Sequence, residues 1–251
     1  MKKIISVIIA AAAALSMSGC VSSVSNAMTE YDFAEMNTDF VQLKAPNDGD
    51  TIAIVQTDLG EFRMVLYDEY APNTVAAFIA DAESGVYDNM PVYAVASDVY
   101  FMTGGHENEK GNYIGRSSDD ELVENEYSVD LWPFAGAVMS YSEKTDYSDS
   151  RWFVCNTDAE SLTEDAINQL KDSTSSVEDE TARNNMLALF DKFYEVGGVF
   201  GLSGTVTVFG QTYEGMDVVE RLCGIAVKDD GRADEEVMIQ SVTISEYSSE
   251  S

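Results

Sequence analysis

Side chains able to carry acid–base, nucleophilic or metal chemistry are scattered through this sequence rather than grouped. There is one histidine, His106, and there are three cysteines, Cys20, Cys155 and Cys223. Without Cys and His clustered at ligand spacing a zinc site has no support, and neither a metal nor a cofactor is expected. Cys155 sits in a strand-like run and Cys223 near a helix end. A disulfide between them and two buried free thiols are both open readings, because separation in sequence carries no information on distance. The stretch that stands out is Val92-Tyr93-Ala94-Val95-Ala96-Ser97-Asp98-Val99-Tyr100-Phe101-Met102-Thr103-Gly104-Gly105. It is rich in β-branched and aromatic residues, breaks at Ser97-Asp98 and stops at a Gly pair, so it reads as two short strands in a hairpin. Such a hairpin could form one wall of a peptide-binding groove.

The surroundings of that wall are acidic. The chain has 14 Lys and Arg against 45 Asp and Glu, a formal net charge of −31, and is 45% hydrophobic, enough to bury a sizeable core in one domain with an insertion. Lys2 and Lys3, the apolar run from Ile4 to Leu15 and Met17-Ser18-Gly19-Cys20 have the layout of an export signal. Cys20 after two small residues resembles the lipobox of bacterial lipoproteins, although Met17 stands where Leu is more usual. That resemblance implies a signal peptide over 1–19, lipidation at Cys20 and attachment to the outer face of a bacterial membrane. The apolar run is too short for a comfortable transmembrane helix. Residues 20–50 are polar and punctuated by Ser, Asn and Asp, as a tether would be, with apolar residues around Phe33 and Phe40 that could dock on the domain. Loss of 1–19 removes two lysines and no acids, taking the net charge to −33. Nucleic-acid binding is thereby excluded, since phosphate backbones are held by Lys and Arg. Adhesion to anionic lipid heads by charge is disfavoured too, which leaves the lipid as the membrane attachment.

Periodicity then supplies the elements that would position the wall. Alternation over 51–57 and 61–67 around Asp58-Leu59-Gly60 is a β-hairpin signal. Pro72 in the first turn and apolar residues at helical spacing predict a helix over 71–85. A polar loop is expected from His106 to Val123, followed by strands over 136–141 and 150–155. Ser161-Leu162-Thr163-Glu164 offers a helix cap, 165–171 a short helix, and 181–196 an amphipathic helix closed by Gly197-Gly198. A strand over 206–210, a helix over 216–222 and a strand over 237–244 complete the pattern. The expected fold is mainly β, a closed antiparallel barrel over 51–248 capped by two helices, with a helical insertion at 157–201.

The motifs Thr57-Asp58-Leu59-Gly60, Ala71-Pro72-Asn73-Thr74-Val75, Phe78, Ser84-Gly85-Val86-Tyr87-Asp88, Gly104-Gly105, Val208-Phe209-Gly210 and Glu214-Gly215-Met216-Asp217-Val218-Val219 occur in that order. In order and spacing the chain resembles the cyclophilin family of peptidyl-prolyl cis-trans isomerases from about Asp50 to its C-terminus. The resemblance implies catalysis of isomerisation at X-Pro bonds, with proline-containing peptides or unfolded exported proteins as partners, no cofactor, and a monomer. The X-Pro barrier arises from amide resonance, and a groove lowers it by holding the proline ring while a cation or donor meets the imide nitrogen as resonance is lost.

The family's groove uses a Phe-His-Arg-Val stretch whose Arg is that group, then Phe-Met-x-Gln-Gly-Gly, Ala-Asn, Gln-Phe-Phe and Trp-Leu-Asp-Gly-x-His. Carried over, the Arg falls on Ala94, and no arginine lies between Arg63 and Arg116. The Phe-Met pair falls near Tyr100 and Phe101, the Gln on Thr103, Ala-Asn on Tyr141-Ser142, and Gln-Phe-Phe on Arg151-Trp152-Phe153. The Trp and His positions become Gly201 and Val206, with Leu202 kept. The expected groove is therefore Tyr100, Phe101, Thr103, Tyr141, Ser142, Arg151, Phe153, Leu202 and Val206. Its apolar floor is retained and its polar chemistry largely absent. Isomerase activity is expected to be weak or lost, with Arg151 as the candidate substitute cation unless it pairs with Asp146 or Asp149. The competing expectation is a non-catalytic peptide- or protein-binding module at the cell surface.

Overall fold

The alternation over 51–66 builds the first hairpin, strands β1 (Thr51–Thr57) and β2 (Gly60–Leu66), with Thr57 opposite Gly60. The Thr57 hydroxyl locks the turn, donating to Gly60 O at 2.7 Å and accepting from Leu59 N at 3.0 Å. The computed structural model describes residues 31–115, 122–156, 163–228 and 232–249. After helix α1 (Pro72–Glu83) come β3 (Met90–Pro91), β4 (Ala94–Ala96), β5 (Tyr100–Thr103), β6 (His106–Glu107), β7 (Tyr113–Ile114), β8 (Val123–Glu124), β9 (Ala137–Tyr141), β10 (Tyr147–Ser148) and β11 (Arg151–Cys155). Helices α2 (Glu164–Ser173) and α3 (Glu180–Val196), strand β12 (Val208–Glu214), helix α4 (Met216–Cys223) and strand β13 (Met238–Glu246) follow.

Nine strands form one antiparallel sheet in the order β3-β13-β1-β2-β12-β9-β11-β5-β4. Its two outer strands are consecutive pieces of a single run, 90–96. Met90 and Pro91 pair with Ile239 and Met238 at one end, and Ala94 to Ala96 pair with Met102 to Tyr100 at the other. Between them Val92 N donates to Val237 O at 2.8 Å and Tyr93 N to Met102 O at 3.1 Å. The curled sheet is thus closed by the stretch singled out in the sequence, which leaves no long edge among the described strands.

The barrel interior holds Val55, Phe62, Met64, Phe101, Trp152 and Phe209, onto which α1 packs Val75 and Phe78 and α4 packs Val219 and Leu222. α4 starts behind Gly215, whose φ is +81° and where a Cβ would stand 2.6 Å from Glu61 O, so only glycine fits this close approach. α1 lacks a side-chain cap of its own. Glu126 reaches over instead: one carboxylate oxygen accepts from Asn73 N (3.1 Å) and Nδ2 (2.8 Å), the other from Thr74 N and Oγ1 (both 2.8 Å).

One region differs from the sequence expectations, and in a second the docking anticipated around Phe33 and Phe40 is observed. The loop after His106 is not wholly irregular: β6 and β7 pair around a turn in which Asn108 Oδ1 accepts from Lys110 N and Asn112 N. Residues 31–43, placed in the tether, lie against the domain. Phe33, Met36 and Phe40 are buried with Trp132, Phe134 and Phe200 and with Met186, Leu189, Phe190 and Phe193 of α3. The apolar face of α3 therefore has its own cover, a second core beside the barrel. α2 is capped by Thr163, whose Oγ1 accepts from Ala166 N at 3.2 Å; Ser161 lies outside the described residues.

Candidate peptide-binding groove

Residues directly opposite each other on antiparallel strands point to the same face of a sheet. Ala94 faces Met102, Met102 faces Phe153, Phe153 faces Met139 and Met139 faces Val208. These five side chains form one row across the outer wall of the barrel, within a single apolar cluster. The next row carries Ala96, Tyr100 and Cys155, and on the other side Arg151 faces Tyr141. The Tyr100 ring tilts against Phe153 at 5.4 Å between centroids. Leu202, carried by a short 3-10 helix (Phe200–Leu202), and Val206 close the cluster from the end of the insertion.

Ala94, Tyr100, Tyr141, Phe153, Leu202 and Val206 thus come together, with Arg151 at their margin. Phe101 and Thr103 do not. They alternate with Tyr100 and Met102, and so face the barrel interior: Phe101 is fully buried there, and Thr103 Oγ1 donates to Pro91 O at 2.9 Å. Ser142 stands beyond the end of β9, where its Oγ accepts from Lys144 N at 3.0 Å. The members of the row missed in the sequence are Met102, Met139 and Val208. Period-two counting from Tyr100 and from Tyr141 would have found the two methionines.

Arg151 is held fast. Its side chain is 5% exposed and that of Asp149 3% exposed. Nε and Nη2 donate to the Asp149 carboxylate at 3.0 and 2.7 Å, and Nη1 donates to Tyr113 O at 3.3 Å and lies 3.5 Å from Glu143. The guanidinium lies over the Tyr141 ring, 4.8 Å from its centroid. Burial alone would lower its pKa, but the hydrogen bonds and charge of Asp149 outweigh burial and hold it above the ordinary arginine value. Gly104 allows this packing: its φ is +79°, and a Cβ there would stand 2.2 Å from Ser150 O. Of the two acids expected as partners, Asp149 is the one that binds.

Beside Ala94 the wall opens into a cleft of about 700 Å³, floored by Tyr93 and Tyr113, whose rings stack at 4.6 Å. An extended peptide could lay an apolar ring on Met102 and Phe153 and pass its neighbouring residues into this cleft. At position 94 it would meet a methyl group. Cys155 and Cys223 are both free and buried. Burial pushes the Cys223 thiol up to about 12 and raises that of Cys155 as well, so neither offers a thiolate near neutral pH.

A family model described as cyclophilin type peptidyl-prolyl cis-trans isomerase/CLD matches residues 52–244. A protein of Staphylococcus epidermidis named "Putative peptidyl-prolyl cis-trans isomerase" is 24% identical over 210 residues, covering 83% of this chain and 100% of the relative. One of the same name from Staphylococcus aureus is 24% identical over 203 residues, covering 81% and 96%. Among solved structures, a cyclophilin type peptidyl-prolyl cis-trans isomerase of Cryptosporidium parvum superposes with a TM-score of 0.56 at 15% identity, over 79% of this chain and 99% of that one. The same protein crystallised in the presence of the dipeptide Ala-Pro superposes with a TM-score of 0.56. At that identity the superposition speaks for the fold alone.

Proposed function

Because this chain belongs to the cyclophilin-type peptidyl-prolyl cis-trans isomerase family, we propose that its outer wall binds proline-containing segments of exported proteins and isomerises them weakly. The observation that carries this reading is the row Ala94, Met102, Phe153, Met139. It keeps an apolar seat for a proline ring and has a methyl where the family's motif has a cation. The transition state for X-Pro rotation localises electron density on the imide nitrogen, and a donor placed there stabilises it more than the ground state. Binding energy from the apolar wall alone is shared by ground and transition states, so it fixes affinity rather than rate. The crystallisation of the Cryptosporidium parvum protein with Ala-Pro supports a proline peptide as the ligand class.

The cellular setting belongs to the same proposal. Residues 1–19 form the signal peptide, Cys20 carries the lipid, and the chain from Cys20 leads to the docked segment and the 51–248 domain with its insertion at 157–201. The protein works as a monomer on the outer face of a bacterial membrane, where its lipid and not its acidic surface holds it.

Exchange spectroscopy on a proline tetrapeptide tests the central claim. The expected result is peptide-induced shifts centred on Met102, Phe153 and Leu202, slow catalysed exchange, and a gain on the order of 10²-fold in kcat/KM for Ala94→Arg. Absence of peptide shifts at those residues overturns it. A non-catalytic binding module is the second reading, favoured by the full engagement of Arg151 by Asp149, Tyr113 and Glu143. Peptide binding without turnover selects it.

A further inference from the structure

Leu202 stands in the groove but not on the sheet. It ends the 3-10 helix Phe200–Leu202, whose backbone bonds are Leu202 N to Val199 O at 2.9 Å and Ser203 N to Phe200 O at 3.0 Å. A 3-10 turn this short has poor hydrogen-bond geometry and does not hold its place unaided. Its first residue anchors it elsewhere: Phe200 is buried in the second core, while Leu202 packs on the outer-wall cluster. From Phe200 a continuous series of rings leads to the N-terminal segment. Phe193 lies 5.2 Å from Phe200 between centroids, Phe134 4.6 Å from Phe193, and Phe40 5.6 Å from Phe134. We propose, building on the peptide-binding reading above, that Phe40 is a positioning residue of the groove: the docked segment 31–43 sets Leu202 beside the apolar row, and peptide affinity depends on that docking.

The backbone at Phe40 supports this role. Its φ is +45°, in the left-handed region that a bulky side chain rarely enters. Such strain persists only where the surroundings hold it, and here they hold the ring, which is buried in the second core. The turn sends the next residues to different places. Val41 packs on the outer-wall cluster, and Gln42 is buried with its Oε1 accepting from Trp132 N at 2.6 Å and its Nε2 donating to Trp132 O at 2.8 Å. Residues 40–42 thus straddle the same two clusters as Phe200 and Leu202. The loop 131–134 lies between them, with Leu131 in the outer-wall cluster and Trp132 and Phe134 in the second core. Backbone contacts complete the link, since Phe134 bridges Gly198 and Val199 N donates to Pro133 O at 2.9 Å.

A binding residue that is in place for only a fraction of the time weakens apparent affinity by that fraction. Loss of the Phe40 ring removes one end of the series, so the 3-10 helix opens more readily, as a local event that leaves the barrel folded. Leu202 belongs to an apolar seat shared by ground and transition states, so the effect falls on affinity rather than on rate.

The test is shift titration of the proline tetrapeptide on the full chain and on its variants Phe40→Gly, Phe40→Leu and Asn185→Ala. Glycine keeps the left-handed turn and removes the ring, and leucine restores apolar volume. Asn185→Ala leaves Phe40 in place and removes the α3 donor that holds Phe33 O at 2.8 Å and Met36 O at 3.2 Å. Phe40→Gly and Asn185→Ala are expected to raise the peptide Kd about five- to tenfold. Shifts at Leu202 and Val206 should shrink more than those at Met102 and Phe153, and Phe40→Leu should lie closer to the parent. A variant that has only lost global stability remains folded and keeps the parent's Kd. A Kd within about threefold of the parent in both Phe40→Gly and Asn185→Ala overturns the role of Phe40 and leaves the peptide-binding reading standing. If Phe40→Gly loses the parent's amide spectrum, Asn185→Ala decides by the same threshold. If the parent itself shows no peptide shifts on the wall, the peptide-binding reading fails and this one falls with it.

Discussion

Arg151 and Asp149 form the most thoroughly buried ion pair described in the molecule, and they show how a groove can lose a cation that its sequence still contains. Arg151 lies on the outer face beside Phe153, yet each of its nitrogens is committed: Nε and Nη2 to Asp149, Nη1 to Tyr113 O and Glu143. Removing one member of a buried pair leaves the other charge uncompensated, which costs far more than the pair contributes when whole. Asp149→Ala is therefore expected to lower unfolding free energy by about 3 kcal/mol, read as a fall in urea midpoint with the m-value unchanged. A loss under about 1 kcal/mol, the range of an exposed ion pair, contradicts the burial argued for it. The proximity of Asp149 to Arg151 was legible in the sequence because the two are adjacent but one. That both side chains are buried was not, since it depends on Gly105 packing against Arg151 and Gly115 against Asp149 from elsewhere in the chain. Cys155 and Cys223 teach the same lesson: their residue types allowed a bridge, and their burial in different clusters leaves two free thiols.

At the scale of elements, α1 depends on a partner outside itself. Pro72 and the apolar spacing predicted the helix, but not that Glu126 would satisfy its first amides from a distant loop. Burial of Glu126 opposes its ionised form, and four hydrogen bonds from Thr74 and Asn73 outweigh this and hold its carboxyl below the ordinary range. A carboxyl depressed on folding stabilises the fold above its unfolded pKa, and that contribution disappears as pH falls through the lower folded value. Glu126→Ala should thus cost about 1 kcal/mol at neutral pH, with parent and variant converging in strong acid. A difference that stays constant from neutral pH into strong acid counts against the ionised cap. β5 illustrates the opposite case. Motif matching spaced by the Gly pair set Phe101 and Thr103 on the groove, whereas strand alternation sets Tyr100 and Met102 there.

The whole molecule is a barrel with a second core at its side. The segment 31–43 and the helices of the insertion bury each other's apolar faces: Phe33 stacks on Trp132 at 6.0 Å, Asn185 Nδ2 donates to Phe33 O at 2.8 Å, and buried Gln42 bridges Trp132 and Gln211. Phe33→Ala is expected to cost about 3 kcal/mol, and native-state hydrogen exchange should show the loss concentrated in α2 and α3. Uniform loss of protection through the barrel strands would mean that the two cores unfold as one unit. The same packing means that Tyr31, the first described residue, lies at the second core rather than at β1.

By itself the sequence determined the elements and the family. Helix caps, glycine stops, period-two alternation and ordered short motifs are local features, and they placed the barrel strands, its two helices and the helices α2 and α3 close to where they lie. It determined as well that no arginine stands at or near position 94. Only the tertiary structure decided which side chains share the outer wall and that Arg151 is locked to Asp149. Those outcomes follow from strand register and from the closure of the sheet by 90–96, which join residues far apart along the chain through backbone hydrogen bonds that no local pattern encodes.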